Sequence, residues 1–188
     1  MSKVLILTGS SRPNSVAQNI IKKVKMIIDE NIAMESQVVD VNNLKLPFFN
    51  DELMPSTDGF VPKDDNAKSW TAQLASADAV VMITPEYNAS LSAIQKNAID
   101  WAYREWINMP VALVGYGWHG GSRAHDNARI VLSNVKANVL ANTTNLTFMK
   151  EIDVDGSVLD EKAFDGQLEI TLNDLLNTIN QKIISYKK

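Results

Sequence analysis

The chain has 188 residues, no cysteine and a formal net charge of -4 at pH 7. This length fits one domain better than two, and a hydrophobic content of 45% is typical of a globular protein. The absence of cysteine excludes a disulfide framework, thiolate metal sites and a cysteine nucleophile, and it suits a reducing cytoplasm.

The composition also argues against two kinds of partner. No apolar run reaches the ~18 residues that can cross a bilayer, so we expect no membrane span. The apolar run Val4 to Leu7 is too short for the core of a signal peptide, so we expect a cytoplasmic protein. Lys22, Lys23 and Lys25 are typical of a solvated helix face, and with a negative net charge we expect no nucleic-acid partner.

Strand and helix signals alternate in the first half of the chain. Strands are predicted from short apolar runs, and helices from apolar residues at three- and four-residue steps. Residues 42–66 contain three prolines and Gly59 and predict a long irregular segment. The predicted elements are a strand at Val4 to Leu7, a helix at Val16 to Ile28, a strand at Ser36 to Val41, a helix at Ala67 to Ala75 and a strand at Ala79 to Ile83.

The same alternation continues to the end of the chain. The predicted elements are a helix at Ser92 to Ile107, a strand at Val111 to Val114, a glycine-rich turn at Gly115 to Gly121, a helix at Ser122 to Lys136, a strand at Asn138 to Phe148 and a helix at Glu161 to Ile184. Five repeats of strand then helix predict an α/β three-layer sandwich in one domain, residues 1–188, with a five-stranded parallel sheet in the order 2-1-3-4-5 and helices on both faces.

In such a sheet, ligands bind beyond the carboxyl ends of the strands, where the strand order reverses. The reversal here lies between the first and third strands. The candidate site residues are therefore those that follow Leu7, Ile83 and Val114.

The segment Gly9 to Val16, GSSRPNSV, follows the first strand. Ser10 and Ser15 offer hydroxyl donors, Arg12 offers a guanidinium fork, and the first turn of the helix offers unpaired N–H groups. This donor set suits a terminal phosphate. By itself the loop is equally well explained by a helix cap at Asn14 or Ser15 with Arg12 on the surface. A dinucleotide fingerprint and a Walker loop are disfavoured, since the segment has one glycine and no lysine.

Two further loops lie at the same predicted sheet edge. Pro85 to Asn88, PEYN, follows the third strand; the proline stiffens the turn, Tyr87 can stack on a flat ring, and Asn88 offers a donor and an acceptor. Gly115 to Gly121 follows the fourth strand, and its glycines let the backbone approach a planar ligand. Each segment alone is also explained by an ordinary turn before a helix.

Isolated polar residues suggest no further site. His119 and His125, the only histidines, have no second metal ligand at standard spacing, so we expect both at the surface and no metal. Lys96 and Asp100 are four residues apart and are interpreted as an exposed helix pair. Asp40 could imitate the ribose-binding acid of a dinucleotide fold, but the missing glycines argue against that role.

Taken together, the three loops resemble the NAD(P)H-dependent FMN reductase family of flavodoxin-like proteins, which includes flavin, quinone, azo and chromate reductases. GSSRPNS is similar to the family's phosphate loop. PEYN followed by KNAIDW, Lys96 to Trp101, is similar to its most specific signature, and Gly115 to Gly121 is similar to the loop that faces the flavin ring. VDVNNLKLPFFNDE, residues 39–52, is similar to the segment after the second strand, and the resemblance runs from about residue 5 to residue 132.

The resemblance implies one bound FMN, with NADPH or NADH as co-substrate. The implied reaction passes hydride from NAD(P)H through FMN to a small acceptor, namely free flavin, a quinone, an azo compound or a metal oxyanion, by a ping-pong mechanism. Because the flavin would carry the chemistry, no catalytic side chain is assigned. The implied phosphate-binding residues are Ser10, Arg12, Ser15 and the amide of Val16, and the implied ring-binding residues are Pro85, Glu86, Tyr87, Asn88 and Gly117.

The chain departs from the family pattern at a few positions. Ser92-Ala93 stands where the family usually has Pro-Gly, and Gln95 stands where it usually has Leu. Because these residues are predicted at the entry to the third helix, we expect them to change the substrate side more than flavin binding. Trp118-His119 is bulkier than the family pattern and is expected to narrow the pocket above the ring.

Two expectations concern the alternative function and the assembly. A flavodoxin-type electron carrier without its own NAD(P)H turnover is the alternative, although its phosphate loop would be richer in Thr and its surface more acidic.

Trp101, Tyr103 and Trp106 cannot all face one side of a helix, so either some meet a partner or they pack on the irregular segment at residues 42–66. The family resemblance implies a homodimer or homotetramer.

Overall fold

The computed structural model describes residues 1–13, 15–30 and 34–186, with side chains described as far as residue 182. Asn14, one of the two candidate helix caps, lies outside the described residues. The elements are β1 (Ser2–Thr8), α1 (Gln18–Asp29), β2 (Met34–Asp40), α2 (Asp65–Ala75), β3 (Ala79–Pro85), α3 (Ala93–Asp100), a 3-10 turn (Arg104–Trp106), β4 (Pro110–Gly117), α4 (Ser122–Asn134), β5 (Asn138–Thr147) and α5 (Glu161–Tyr186).

The five strands form one parallel sheet in the order β2-β1-β3-β4-β5. The predicted fold class and strand order are therefore confirmed. Because all strands run in the same direction, the loops that follow β1, β3, β4 and β5 emerge at one edge of the sheet. That edge is where the sequence predicts the site.

Two hydrophobic cores cover the two faces of the sheet. Alternate residues of each strand point to opposite faces, so that Val4 and Ile6 pack toward α1 and α5 while Leu5 and Leu7 pack toward α2, α3 and α4. Val81 and Val80 of β3 divide in the same way. The near-continuous apolar runs of the central strands are thus explained by burial on both sides.

The third helix is shorter than predicted. It ends at Asp100, and residues 104–106 form a separate 3-10 turn, so the predicted end at Ile107 is wrong. Trp101 and Trp106 are both fully buried, and residues five apart on a continuous helix would point about 140° from each other. The break lets both indoles enter the same core.

Trp101 and Trp106 pack within the chain, whereas Tyr103 is only partly buried. The Trp101 Nε1–H donates to the Pro47 carbonyl at 2.8 Å, and the Phe49 ring meets the Trp101 ring edge-on at 5.0 Å. Trp106 packs against Trp70. The irregular segment at residues 42–66 is therefore what covers Trp101, and the buried tryptophans give no support to an oligomer.

The fourth strand is longer than predicted. It continues through Gly117, because Gly115 pairs with Thr84 of β3 and Gly117 pairs with Thr147 of β5. The glycine-rich turn is thus confined to residues 118–121. Among the described helices, none combines the length and the apolar character that a bilayer span requires.

Candidate functional site

A cavity of about 370 Å³ opens at the carboxyl edge of the sheet. This volume lies in the range of roughly 300–1,000 Å³ that is typical of small-molecule sites. Its walls come from the four loops that follow β1, β3, β4 and β5. The lining residues are Ser10, Arg12, Ser15, Val16, Pro85, Glu86, Tyr87, Tyr116, Gly117, Trp118, Phe148, Val154 and Asp155.

Donor groups gather at the β1–α1 end of the cavity. Ser10 and Ser15 lie here with Arg12, and α1 begins at Gln18 after Ala17, which provides no side-chain cap. The Arg12 side chain makes no hydrogen bond or ion pair with any residue that the structure describes. An exposed guanidinium beside two hydroxyls and an uncapped helix N-terminus is an arrangement suited to an anion.

Two tyrosines reach this loop, Tyr116 from β4 and Tyr87 from the segment that follows β3. The Tyr87 hydroxyl lies 3.0 Å from Ser10 Oγ, and the Tyr116 hydroxyl lies 3.4 Å from Ser15 Oγ. Burial raises the pKa of the Tyr116 phenol above its usual value, so the phenol is protonated at neutral pH and can donate. Tyr116 was missed by the sequence analysis, which assigned Gly115 to Gly121 to a turn and gave no direction to this side chain.

The β1–α1 loop is also held from its other side. Asn42 Nδ2 donates to the Ser10 carbonyl at 2.7 Å, and Asp40 Oδ1 accepts from both the backbone and the side-chain N–H of Asn42. Asp40 is thereby used to orient Asn42. This contact gives Asp40 a role in the fold that differs from the ribose-binding acid considered above.

The Glu86 carboxylate turns away from the cavity and ties two loops together. Glu86 Oε2 accepts from the Arg123 backbone N–H at 3.2 Å in the first turn of α4. Glu86 Oε1 lies 3.4 Å from His119 Nδ1 and 3.9 Å from Arg123 Nη1. The Glu86 N–H in turn donates to the Tyr116 carbonyl at 3.1 Å. The side chain is therefore engaged with α4, and Glu86 can offer the cavity mainly its backbone.

Gln95 lies below the β1–α1 loop and away from the substrate side. Its side chain is fully buried, and its Nε2–H donates to Ile83 O at 3.3 Å and Leu7 O at 3.5 Å, at the ends of β3 and β1. A Cβ on Gly9 would lie 2.4 Å from this amide. The expectation that Gln95 shapes the substrate side is wrong, because α3 directs the residue into the gap between the two strands.

The β4–α4 turn folds tightly over a buried histidine. His125 is only 4% exposed, so the expectation that both histidines lie at the surface is wrong for this one. Asn145 Nδ2 donates to His125 Nδ1 at 3.3 Å, which requires the neutral ring, and Nε2 faces Gly115. Burial, together with the positive charge of Arg129, lowers the pKa of His125 to about 4, while Asp126 opposes this shift.

The protein should lose stability as the pH falls from 6.5 to 4 because of His125. The unfolded chain binds a proton near pH 6.5, whereas the folded chain resists it until about pH 4, so stability is complete above 6.5 and falls through this window. We expect the free energy of unfolding to fall by about 3 kcal/mol across this window. Urea denaturation at several pH values measures it. His125→Leu should remove this part of the slope, and the exposed control His119→Gln should retain it. An unchanged slope in His125→Leu would contradict the assignment.

The outer wall of the cavity comes from a loop that the sequence analysis did not consider. Phe148, Val154 and Asp155 follow β5, whereas the site was predicted only from residues that follow the first, third and fourth strands. The Trp118 and Phe148 rings meet edge-on at 5.6 Å. Applying the same rule to the fifth strand would have pointed to this segment.

The predicted site residues therefore converge on one cavity, with one exception. Ser10, Arg12, Ser15, Val16, Pro85, Glu86, Tyr87 and Gly117 all line it. Asn88 lies outside this lining and is exposed beside Ser90 and Asn127 at a separate surface depression. Its backbone has φ +49°, a left-handed conformation that Asn tolerates better than most residues. In the described part of the chain, no cluster of His, Asp or Glu could hold a metal ion.

The amino-acid sequence is similar to those of reductases from other organisms. It is 37% identical over 147 residues to an NAD(P)H-dependent FMN reductase of Saccharomyces cerevisiae, covering 73% of this chain and 77% of that protein. It is also 34% identical over 134 residues to a probable NADPH:quinone oxidoreductase of Oryza sativa, covering 69% of this chain and 63% of that protein.

The fold and a family model agree with these relatives. A flavoenzyme NAD(P)H:(acceptor) oxidoreductase of Paracoccus denitrificans superposes with a TM-score of 0.75 at 26% identity, covering 96% of this chain and 98% of that one. The model of the NADPH-dependent FMN reductase family matches residues 2–149, which contain the whole sheet and three of the four cavity loops. The chain therefore belongs to the NADPH-dependent FMN reductase family.

Proposed function

We propose that this chain binds one FMN in the cavity at the sheet edge and transfers hydride from NADPH or NADH, through that FMN, to a small acceptor. The family membership supports the cofactor and the reaction class. The single observation that carries the proposal is the composition of the cavity. One end combines hydroxyls with a guanidinium that has no partner among the described residues, and the rest is lined by aromatic side chains and backbone.

The proposed phosphate-binding group consists of Ser10, Arg12, Ser15 and the amide of Val16. A phosphate monoester carries between one and two negative charges at neutral pH, so several short donors and one guanidinium match it. The hydroxyls of Tyr87 and Tyr116 contact the two serine hydroxyls at 3.0 and 3.4 Å. The loop is thereby pre-organised, which reduces the entropy lost when an anion binds.

The proposed ring-binding group consists of Pro85, Glu86, Tyr87 and Gly117, with Asn88 at its margin. Glu86 contributes through its backbone, since its carboxylate is bound to α4. Gly117 has φ +147°, and a side chain there would approach the Glu86 Cβ at 3.3 Å. A small residue at this position keeps the two loops close and leaves backbone groups available to a flat ligand.

Bound FMN would supply the two-electron chemistry, and the protein would supply position and electrostatics. Backbone N–H groups beside the cavity can stabilise negative charge that develops on a bound ring. If the nicotinamide and the acceptor use the same space in turn, the kinetics are ping-pong.

A spectroscopic titration tests the proposal. The purified protein should be yellow or should become so with FMN, and NADPH or NADH should bleach the flavin absorbance under anaerobic conditions. Adding a quinone should restore the absorbance, and steady-state double-reciprocal plots should be parallel.

Two outcomes would contradict the proposal in different ways. A protein that does not bind FMN would refute it entirely. Bound flavin that neither NADPH nor NADH reduces would favour the flavodoxin-type electron carrier instead.

The assembly and location are part of the proposal. We propose a homodimer or homotetramer from the family resemblance, and light scattering on the same purified sample measures its molar mass. The cytoplasmic location is supported by a cysteine-free composition that suits a reducing compartment.

A further inference from the structure

Trp118 differs from the other tryptophans of the chain. Trp70, Trp101 and Trp106 are at most 1% exposed, whereas Trp118 is 64% exposed and lines the cavity. A large exposed aromatic at the mouth of a cavity is a feature of binding sites rather than of ordinary surface. The position directly follows Gly117, so the indole belongs to the loop proposed to meet the ring.

The indole is held in place by its neighbours. Phe148 meets Trp118 at 5.6 Å with an interplanar angle of 80°, and it meets Tyr116 at 6.4 Å with an angle of 65°. The Phe148 N–H donates to the Gly117 carbonyl at 3.0 Å, which joins the two loops through their backbones. These contacts orient Trp118 and still leave most of its surface free.

The wall beside Trp118 is fixed as well. Asn19 Nδ2 donates to the Gly156 carbonyl at 2.7 Å, and a Cβ on Gly156 would lie 2.5 Å from the Val16 carbonyl oxygen. The loop after β5 is therefore packed against the start of α1. Asp155 is exposed on this wall and accepts hydrogen bonds from the N–H and hydroxyl of Ser157.

The charges that line the cavity disfavour an anionic acceptor. Arg12 is the cation among the described lining residues, and under the proposed function its charge is used by the FMN phosphate. Asp155 brings an exposed carboxylate, whereas the Glu86 carboxylate is turned toward α4, where Arg123 and His119 lie against it. A dianionic metal oxyanion would thus meet negative charge and an aromatic surface, which do not replace its hydration.

We infer that Trp118, oriented by Phe148, determines acceptor specificity by offering an aromatic face that selects flat aromatic acceptors over metal oxyanions. This inference rests on the proposed function and narrows its acceptor class. A ring stacked on an aromatic side chain gains up to about 1.4 kcal/mol, which corresponds to roughly a 10-fold preference.

The test isolates the oxidative half-reaction. Pre-reduced holoenzyme is mixed in a stopped-flow instrument with 1,4-naphthoquinone or with chromate. Reduced FMN would give up a hydride and the solvent one proton, so that the quinone leaves as the hydroquinone and FMN returns to its oxidised form. Trp118→Ala should lower the rate constant for 1,4-naphthoquinone about 10-fold and change that for chromate by less than about 2-fold.

A conservative variant and a binding measurement separate recognition from general damage. Trp118→Phe keeps a flat face and should retain most of the naphthoquinone rate. Equilibrium dialysis against oxidised holoenzyme should give a naphthoquinone dissociation constant about 10-fold higher for Trp118→Ala. Phe48→Ala removes another exposed aromatic, outside the cavity lining, and should change neither quantity.

Three results would overturn the inference. The first is an equal loss of rate with naphthoquinone and with chromate in Trp118→Ala, and the second is an unchanged naphthoquinone rate in that variant. The third is a weakening of FMN binding by more than about 10-fold in Trp118→Ala, which would mean that Trp118 contacts the flavin. Failure of the proposed function itself is distinguishable. It would appear before any acceptor is added, as a wild-type protein that binds no FMN or is not reduced by NAD(P)H.

Discussion

Replacing Arg12 by alanine should weaken FMN binding by about 100-fold while riboflavin binding stays nearly unchanged. Hydrogen bonds to a charged group contribute about 1.5–3 kcal/mol each, and Arg12 has no competing partner among the described residues. Riboflavin lacks the phosphate, so it reports on the ring site alone. Quenching of flavin fluorescence measures both dissociation constants, and because Arg12 is exposed, the difference between them should shrink at high salt.

Arg104→Ala is the matched control for this experiment. Arg104 is also exposed, but it pairs with Asp58 at 2.7 Å and does not line the cavity. Its loss should leave both affinities unchanged. Wild-type FMN affinity in Arg12→Ala, or equal losses for FMN and riboflavin, would contradict the assignment of Arg12 to the phosphate.

Gly121→Ala should destabilise the protein by about 3–5 kcal/mol. Gly121 has φ +78°, and a Cβ there would lie 2.6 Å from the Gly115 Cα and 2.7 Å from the Tyr116 backbone nitrogen. Both obstacles are backbone atoms of β4, so no side-chain rotation relieves the clash. Backbone strain and overpacking each contribute about 1–3 kcal/mol, and urea denaturation measures the sum.

Gly59→Ala separates these two contributions. Gly59 has nearly the same φ, +76°, but its Cβ would meet no atom within 4 Å. The Gly59→Ala variant should therefore lose only the stability that comes from backbone conformation, about 1–2 kcal/mol. Equal losses in the two variants would show that the close contact between Gly121 and Gly115 does not contribute.

The residues of the candidate site show how much of the site the local sequence pattern predicts. Ser10, Arg12 and Pro85 were predicted because parallel strands bring their carboxyl ends to one edge, and that rule needs only the strand positions. Asn88 belongs to the same motif but lies outside the cavity lining. The motif fixes which segment reaches the edge. It does not fix which way each side chain points after the strand ends.

Long-range contacts account for the positions that were predicted wrongly. His125 was predicted at the surface because no second metal ligand stands at standard spacing, but it is buried because Asn145 of β5 and the backbone of Gly115 enclose it. Gln95 was assigned to the substrate side, whereas it fills the gap between β1 and β3. In each case the partner is distant in sequence or belongs to another element.

The sequence alone determined the element order, the parallel sheet and the edge that carries the site, because apolar periodicity and strand-helix alternation are local properties of the chain. Only the tertiary structure decided that α3 ends at Asp100, that Glu86 binds α4, and that Phe148 and Asp155 close the cavity. These features depend on which helix and loop surfaces pack together when the helices cover the sheet. Docking is governed by shape and by the pairing of buried polar groups, which no single segment specifies.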